Sequence, residues 1–233
     1  LLDARSRALL MRQWIAVYSS GAAESPTARY GDYVAWTERQ DRAQAERFWK
    51  SATQPLAAPT LLGSALEEAA PARAVQRVSD ELGPDETREL AGFAREERVT
   101  PSTVIQAAWL SLLQRYTRQA VVAVGVRVPG RPADLPGIEG VVGRFSHTLP
   151  LVQCVSPQRP TGDQLREVQA QTLALSDYAY TSLDEIERWA GQPGQPLFDT
   201  RLVFDDEQTE AVATPESGLR IEQVEASAGT EHA

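Results

Sequence analysis

The chain has 233 residues, of which 42% are hydrophobic and 24% are charged, with 32 acidic side chains against 23 basic ones. This is the composition of a globular protein of one or two domains, and it excludes disordered and collagen-like chains. The formal net charge of −9 argues against nucleic acid or an anionic membrane as a partner, because both need a basic surface. Small molecules or proteins are the expected partners.

Several catalytic residue types are scarce. Cys154 is the only cysteine, so an internal disulfide and a CxxC metal knuckle are excluded, and a cytoplasmic location is expected. With only His147 and His232, a histidine-rich zinc site or a Ser-His-Asp triad has few ways to assemble. Lys50 is the only lysine, which removes most routes to Schiff-base chemistry. No metal site is expected.

The first part of the chain has helical patterns. Residues 3–19 predict one amphipathic helix, and a second is predicted from roughly Asp32 to Ser51 with Trp36 and Trp49 as core anchors. The Pro/Ala-rich stretch Gln54–Arg73 is the best candidate for a linker between two lobes.

After this linker, helical and strand patterns alternate, which predicts an α/β fold with mixed sheets. The predicted elements are a strand at Ala74–Ser79, a helix from Pro84, a helix from a Thr100 cap to Tyr116, a buried strand at Val121–Val128, a loop over Pro129–Gly137, a strand at Thr148–Val155, a helix with a Thr161–Gln164 capping box, a short helix from a Ser182–Glu185 capping box to Trp189, and strands at Thr200–Phe204 and Leu219–Val224.

Signatures of common cofactor sites are missing. The glycines between Gly125 and Gly143 fit neither the phosphate-binding P-loop nor the dinucleotide fingerprint, so ATP and NAD are not expected. The acidic clusters Glu67-Glu68, Glu96-Glu97 and Asp205–Glu207 read as solvated faces or strand ends rather than glycosidase pairs.

The segment Val121–Val155 is the most informative. Two buried strands flank a long loop with Arg127, Arg131 and Arg144, and such a loop either carries binding groups or is a plain connector with solvated arginines. His147 is either a general base or, more often for a lone histidine, a structural residue.

At this segment the sequence resembles a known family. Residues 130–151, GRPADLPGIEGVVGRFSHTLPL, resemble the loop-and-strand motif of the condensation domains of nonribosomal peptide synthetases. Three further segments resemble family motifs in the family's order: residues 30–36 with 45–49, residues 180–189, and residues 196–204. The order of the four segments identifies the chain as a member of this family.

The resemblance implies a two-lobed fold like that of chloramphenicol acetyltransferase, with a tunnel between the lobes, that is incomplete in this chain. Residues 1–53 would end the N-terminal lobe, 54–73 would link the lobes, and 74–233 would form most of the C-terminal lobe. Donor and acceptor carrier proteins would deliver substrates on 4'-phosphopantetheine arms, with no cofactor bound directly. Neighbouring synthetase domains would be further partners.

The family's catalytic motif is HHxxxDG, whose second histidine is assigned as general base or positioning group. Leu1-Leu2-Asp3-Ala4 resembles the end of this motif, with Ala4 in place of its glycine. Both histidines are then expected just before Leu1 in a longer polypeptide. Asp3 matches the motif aspartate, which has a structural role in the family, forming an ion pair and shaping the turn.

The remaining site residues also rest on the resemblance. His147 follows Ser146 where the family has asparagine, and Asp205-Asp206 stand where it often has asparagine. Ser146, His147 and Asp206 are therefore expected near substrate. The loop residues expected near the tunnel are Gly130, Arg131, Pro132 and Arg144.

Amide formation is the expected reaction, and ester formation stays open. A second hypothesis, motivated by Ala4 and His147, is a non-catalytic relative that docks carrier proteins or tailoring enzymes. An epimerisation or heterocyclisation relative is a weaker alternative.

Overall fold

The structure is a computed structural model that describes residues 2–21, 27–66 and 76–204. Among these, residues 2–21, 27–34 and 133–144 form one compact unit, and residues 35–66, 76–132 and 145–204 form a second. The lobe boundaries expected at residues 53 and 73 stay a prediction. Within the described ranges, no helix has the length and apolar character that a membrane span requires.

The first unit contains helix α1 (Ala4–Ser20), which confirms the helix predicted over 3–19. Gly21 ends the helix in the left-handed conformation, and its N–H donates to the carbonyl of Val17 at 2.8 Å. The loop 133–144 of this unit contains the 3-10 turn Ile138–Gly140, where Ile138 is buried.

The single helix predicted over Asp32–Ser51 is wrong. The chain forms two helices there, α2 (Tyr30–Glu38) and α3 (Arg42–Thr53). The break occurs because Asp41 caps α3, its Oδ1 accepting the N–H of Gln44 at 2.9 Å. Aspartate favours this cap position over a helix interior, so α3 begins independently.

The second unit places helices around a three-stranded mixed sheet. The strand order is β2-β1-β3, with β1 antiparallel to β2 from Val121↔Cys154 to Val128↔His147 and parallel to β3. The expected α/β fold with a mixed sheet is thus confirmed. The elements after α3 are α4 (Leu62–Ala65), α5 (Pro84–Glu96), α6 (Pro101–Thr117), β1 (Val121–Val128), β2 (His147–Cys154), α7 (Thr161–Ser176), α8 (Leu183–Trp189) and β3 (Arg201–Leu202).

Strand β1 lies at the centre of the core. Its residues from Val122 to Val126 are all buried, which confirms the prediction from the continuous apolar run. One face of the sheet joins a cluster with the inner faces of the helices. Members of this cluster are Val122, Val124 and Val126 of β1, Leu149 and Leu151 of β2, Leu110 and Leu113 of α6, Leu165 and Val168 of α7, and Trp49 of α3.

Helix caps were predicted with mixed success. The Ser182–Glu185 capping box is present at the start of α8. The box predicted at Thr161 and Gln164 is wrong, because Pro160 occupies the cap position and Thr161 is the first helical residue. The backbone carbonyl of Pro160 already accepts the N–H groups of Asp163 and Gln164, so α7 begins one residue earlier than the pattern indicates.

Two predicted strands differ from the structure. Residues 76–79 of the expected strand at Ala74–Ser79 form none, while residues 74 and 75 lie outside the described residues. The strand predicted over Thr200–Phe204 is reduced to Arg201–Leu202, which pair only with Gly125 and Val126. Alternation of apolar residues indicates an extended chain but does not supply a pairing partner. The strand predicted at Leu219–Val224 lies outside the described residues.

The described part of the predicted linker is fixed to the sheet. Thr60 is fully buried, and its Oγ1 accepts the N–H of Ala123 in β1 at 2.9 Å. The carboxylate of Asp199 accepts the N–H groups of Leu62 and Gly63 at 2.9 and 2.8 Å. These bonds hold α4 beside the chain that leads into β3.

Gly125 allows a close contact in the centre of β1. A Cβ at this position would lie 2.4 Å from Cε2 of Phe198 and 2.9 Å from Cγ2 of Thr148. We therefore expect Gly125→Ala to lower the free energy of unfolding by about 1–3 kcal/mol, measured by chemical denaturation. Phe198→Leu removes the nearest ring atoms, so adding it to Gly125→Ala should recover part of the loss.

Gly92→Ala is the matched control. Gly92 lies inside α5, where a Cβ meets no atom within 4 Å, so this change should stabilise the chain by up to about 1 kcal/mol through helix propensity. Equal stability of Gly125→Ala and the unmodified chain would contradict the packing argument.

Candidate active site

Asp3 fixes the start of α1 in the first unit. It is 7% exposed, and its Oδ1 accepts the backbone N–H of Ser6 at 2.7 Å, as an N-cap residue does. The Oγ of Ser6 lies 2.7 Å from the carbonyl oxygen of Gly143 and donates to it. The start of the helix is thereby tied to the end of the loop 133–144. The ion pair expected for Asp3 stays a prediction.

Arg144 follows this anchor directly. Its carbonyl oxygen accepts the hydroxyl of Tyr30 at 3.0 Å, while its side chain is exposed. Tyr30 lies beside the buried Tyr33, with 5.6 Å between ring centroids. Burial, with a smaller contribution from Tyr30, raises the pKa of Tyr33 to about 12, so this phenol stays neutral. The first unit therefore brings Asp3 and the backbone of Arg144 together.

Gly130 and His147 meet at the end of the β1–β2 ladder in the second unit. Val128↔His147 is the last pair of the register. A Cβ on Gly130 would lie 2.2 Å from the carbonyl oxygen of Phe145 and 2.8 Å from Cδ2 of His147. Only glycine permits this approach, so it determines where the imidazole lies relative to the loop.

Arg131 packs on an aromatic ring. Its Cζ lies 3.9 Å from the ring centroid of Phe145, which is fully buried. A guanidinium at this distance is attracted by the ring quadrupole. Arg131 therefore packs against the core at the end of β1, and both interpretations of the loop, binding groups or a plain connector, stay predictions. Pro132, the next residue, is half-buried.

Ser146 lies directly before β2, and His147 is the first residue of that strand. Both are half-buried and follow the buried Phe145. Because side chains alternate along a strand, His147 lies on the face that also carries Leu149 and Leu151. The second unit thus brings Gly130, Arg131, Ser146 and His147 into one region. Asp206 lies outside the described residues.

The described residues offer no group of three or more His, Cys, Asp or Glu side chains placed to hold a metal ion. Cys154 is exposed at the end of β2. The predicted site residues can form hydrogen bonds and position a substrate, and His147 adds one imidazole.

Sequence reasoning missed the residues that position this region. Phe145 supports Arg131, and Gly143 receives the Asp3 and Ser6 bonds. A large aromatic residue at the end of a Gly-rich loop, two positions before β2, was the available signal for Phe145. No local signal marked Gly143, because its partners are more than 130 residues away in sequence.

The sequence model for the condensation domain matches residues 1–232. The chain belongs to the condensation domain family. It is 39% identical to chondramide synthase cmdD of Chondromyces crocatus over 227 residues, which are 95% of this chain and 6% of that protein. It is 36% identical to one of the linear gramicidin synthase proteins of Brevibacillus parabrevis over 215 residues, which are 88% of this chain and 3% of that protein.

Solved structures confirm the condensation-domain fold. The X-domain from teicoplanin biosynthesis superimposes with a TM-score of 0.71 at 21% identity, over 86% of this chain and 48% of that one. The first condensation domain of the calcium-dependent antibiotic synthetase superimposes with a TM-score of 0.65 at 20% identity, over 87% of this chain and 46% of that one. The chain thus spans about half of each of these structures and a small part of each curated relative.

A substitution at Asp3 tests the anchor of α1. We expect Asp3→Ala to lower the free energy of unfolding by about 0.5–2 kcal/mol, because the N–H of Ser6 loses its acceptor. Asp3→Asn keeps a side-chain oxygen at the cap and should cost less. Equilibrium unfolding in urea measures both, and equal losses in the two variants would argue against the capping role.

A substitution at Gly130 tests the close approach to His147. Gly130→Ala should cost about 1–3 kcal/mol, because its Cβ would overlap a backbone carbonyl that cannot rotate away. Gly140→Ala is the matched control, since a Cβ there meets nothing within 4 Å and the change should stay within about 0.5 kcal/mol. Thermal unfolding and the position of the His147 ring signals in NMR spectra check this expectation. An unchanged His147 environment in Gly130→Ala would contradict it.

Proposed function

We propose that the chain is part of a condensation domain that forms an amide bond in nonribosomal peptide biosynthesis. In this reaction the amine of an acceptor aminoacyl thioester attacks the carbonyl carbon of a donor acyl or peptidyl thioester. The new C–N bond replaces the donor C–S bond, and the amine proton ends on the released thiol. Family membership and the synthetase relatives support this function.

The observation that carries the proposal is the buried Asp3 at the start of α1. It stands where the family motif has its aspartate, and its hydrogen bonds fix the direction in which the chain enters the helix. We infer that the two motif histidines precede Leu1 in the full-length protein. The Asp3 cap would then hold these histidines, and the second would act as general base or positioning group.

The loop and strand residues would form the wall that faces the acceptor. Ser146 and His147 are half-buried and polar at the entrance of β2, and Arg131 beside them is held on Phe145. We propose that these groups, with Gly130 and Pro132, line the substrate passage, and Arg144 belongs to this proposal on the family pattern alone. Asp206 belongs to this proposal on the family pattern alone.

The expected chemistry needs few ionisable groups. Holding two tethered substrates in the correct orientation can lower the barrier by about 7–11 kcal/mol, whereas a general base contributes about 10²–10⁴-fold. Donor and acceptor carrier proteins would present the substrates on phosphopantetheine arms, with neighbouring synthetase domains as further partners. No directly bound cofactor is part of the proposal.

The second candidate is a non-catalytic member of the family that docks carrier proteins or tailoring enzymes. Ala4 in place of the motif glycine and His147 in place of the family asparagine favour it. Under this candidate the fold and the Asp3 anchor stay, but the wild-type protein forms no amide product.

The function is tested with the full-length protein and separately loaded donor and acceptor carrier proteins. We expect amide product on the acceptor carrier, detected by intact-protein mass spectrometry, and a fall of about 10²–10⁴-fold when the second motif histidine is changed to alanine. Unchanged turnover in that variant would refute the assignment of the base. Absence of product from the wild-type protein, with both carriers bound, would favour the non-catalytic candidate.

His147→Asn is the companion variant. If His147 is a wall of the acceptor passage, asparagine restores the family residue and turnover should stay within a few-fold of wild type. Loss of turnover with intact folding would instead assign a catalytic role to the imidazole.

A further inference from the structure

A small cavity opens between α8, the end of α2 and α3 in the second unit. We call it the carboxylate pocket. Its volume of about 160 Å³ admits the end of a side chain but not a whole cofactor, which needs roughly 300 Å³ or more. Its lining includes Glu38, Arg42, Tyr180, Thr181, Glu185 and Trp189.

Glu185 is the anchored acid of this pocket. Its side chain is 15% exposed, and its Oε2 accepts the backbone N–H of Ser182 at 3.3 Å in the capping box and also the Ser182 hydroxyl at 2.9 Å. Its Oε1 is ion-paired with Arg42, whose side chain is 67% exposed. The mostly buried carboxylate of Glu185 is thus already paired with one guanidinium, that of the exposed Arg42.

Thr181 supplies an unused polar atom in the same pocket. The residue is 3% exposed, and its Oγ1 has no hydrogen-bond partner among the residues that the structure describes. A buried hydroxyl without a partner is unfavourable, because it has given up its bonds to water. Because Oγ1 itself is inaccessible, an N–H donor in the pocket would supply the missing bond once the Thr181 side chain turns toward it.

The pocket is acidic overall. Glu38 lies at its rim, and in the described part of the chain this carboxylate has no ion pair. Burial, with smaller contributions from Tyr178 and the carboxylate of Asp41, raises the pKa of Tyr180, which lines the pocket. The described lining therefore carries two carboxylates, those of Glu38 and Glu185, and one guanidinium, that of Arg42.

We propose that the carboxylate pocket binds the guanidinium of an arginine side chain presented by a partner polypeptide. A guanidinium is planar, offers five N–H donors, and stacks on aromatic rings, so it can use Glu38, Glu185 and the Thr181 hydroxyl while lying against Tyr180 or Trp189. Lysine offers a compact charge without this fork. The intramolecular pair with Arg42 shows that Glu185 accepts this chemistry.

The proposal separates this pocket from the condensation reaction, since none of its lining residues belongs to the proposed substrate passage. It therefore serves as an anchor for a neighbouring polypeptide. Arg42 competes for Glu185, so an incoming arginine gains affinity when Arg42 swings outward.

The test is saturation-transfer difference NMR on the full-length protein, which detects weak peptide binding to large proteins. The probe is the capped tripeptide acetyl-Gly-Arg-Gly-amide, with the citrulline peptide as a neutral isostere. We expect saturable transfer to the arginine side-chain protons, at least fivefold weaker transfer to citrulline, and at least threefold weaker binding of the lysine peptide. Equal responses to arginine and citrulline, or to arginine and lysine, would overturn the guanidinium assignment.

Variants locate the binding. Glu185→Gln removes the charge but keeps a residue that supports a capping box, so it should weaken binding at least fivefold without unfolding α8. Thr181→Val should weaken it at least twofold, and Arg42→Ala should strengthen it.

Glu89→Gln, on the exposed side of α5, is the matched control and should bind as wild type. Undiminished binding by Glu185→Gln, with its folding verified by circular dichroism, would overturn the proposal, as would weaker binding by Arg42→Ala.

Discussion

The structure depends most on the burial of β1, which lies between two strands and packs one face on the apolar core. A strand covered on every side must pair all its backbone groups within the protein, because an unpaired buried N–H or C=O is costly. The eight-residue register with β2 supplies one edge. On the other edge, Gly125 donates to the carbonyl of Thr200 and Ala123 donates to Thr60. Segments far apart in sequence are therefore held at fixed positions by one strand.

The same strand register determines where Gly130, Arg131 and His147 lie in the candidate site. Once Val128 pairs with His147, the loop leaves β1 and returns to β2 with Gly130 against the Phe145 carbonyl. Arg131 must then lie over the Phe145 ring, because the chain has turned there. A buried core thus positions polar groups at its end. This arrangement agrees with the proposed role of these groups in orienting carrier-bound substrates.

The sequence predicted the features that rest on local chemistry. The continuous apolar run of β1 specified a buried strand, and the serine and glutamate of α8 specified its cap, since both signals lie within a few residues. The prediction of a Thr161 cap was wrong because the backbone carbonyl of Pro160 accepts the N–H groups of Asp163 and Gln164. The contacts of Gly130 and Phe145 depend on strand register, which no local pattern encodes. The family resemblance, in contrast, used the order of four segments and was confirmed over residues 1–232.

The hydroxyl of Thr60 closes one position along the edge of β1 that faces β3. Strand β3 is only two residues long, and beyond it the edge of β1 would offer a free N–H to any extended peptide. The bond from Ala123 to Thr60 fills that position with a side chain, and a side chain cannot continue a ladder. Exposed strand edges are templates for intermolecular pairing. The segment predicted as a proline-rich linker thus occupies one position on β1 with which another chain could otherwise pair.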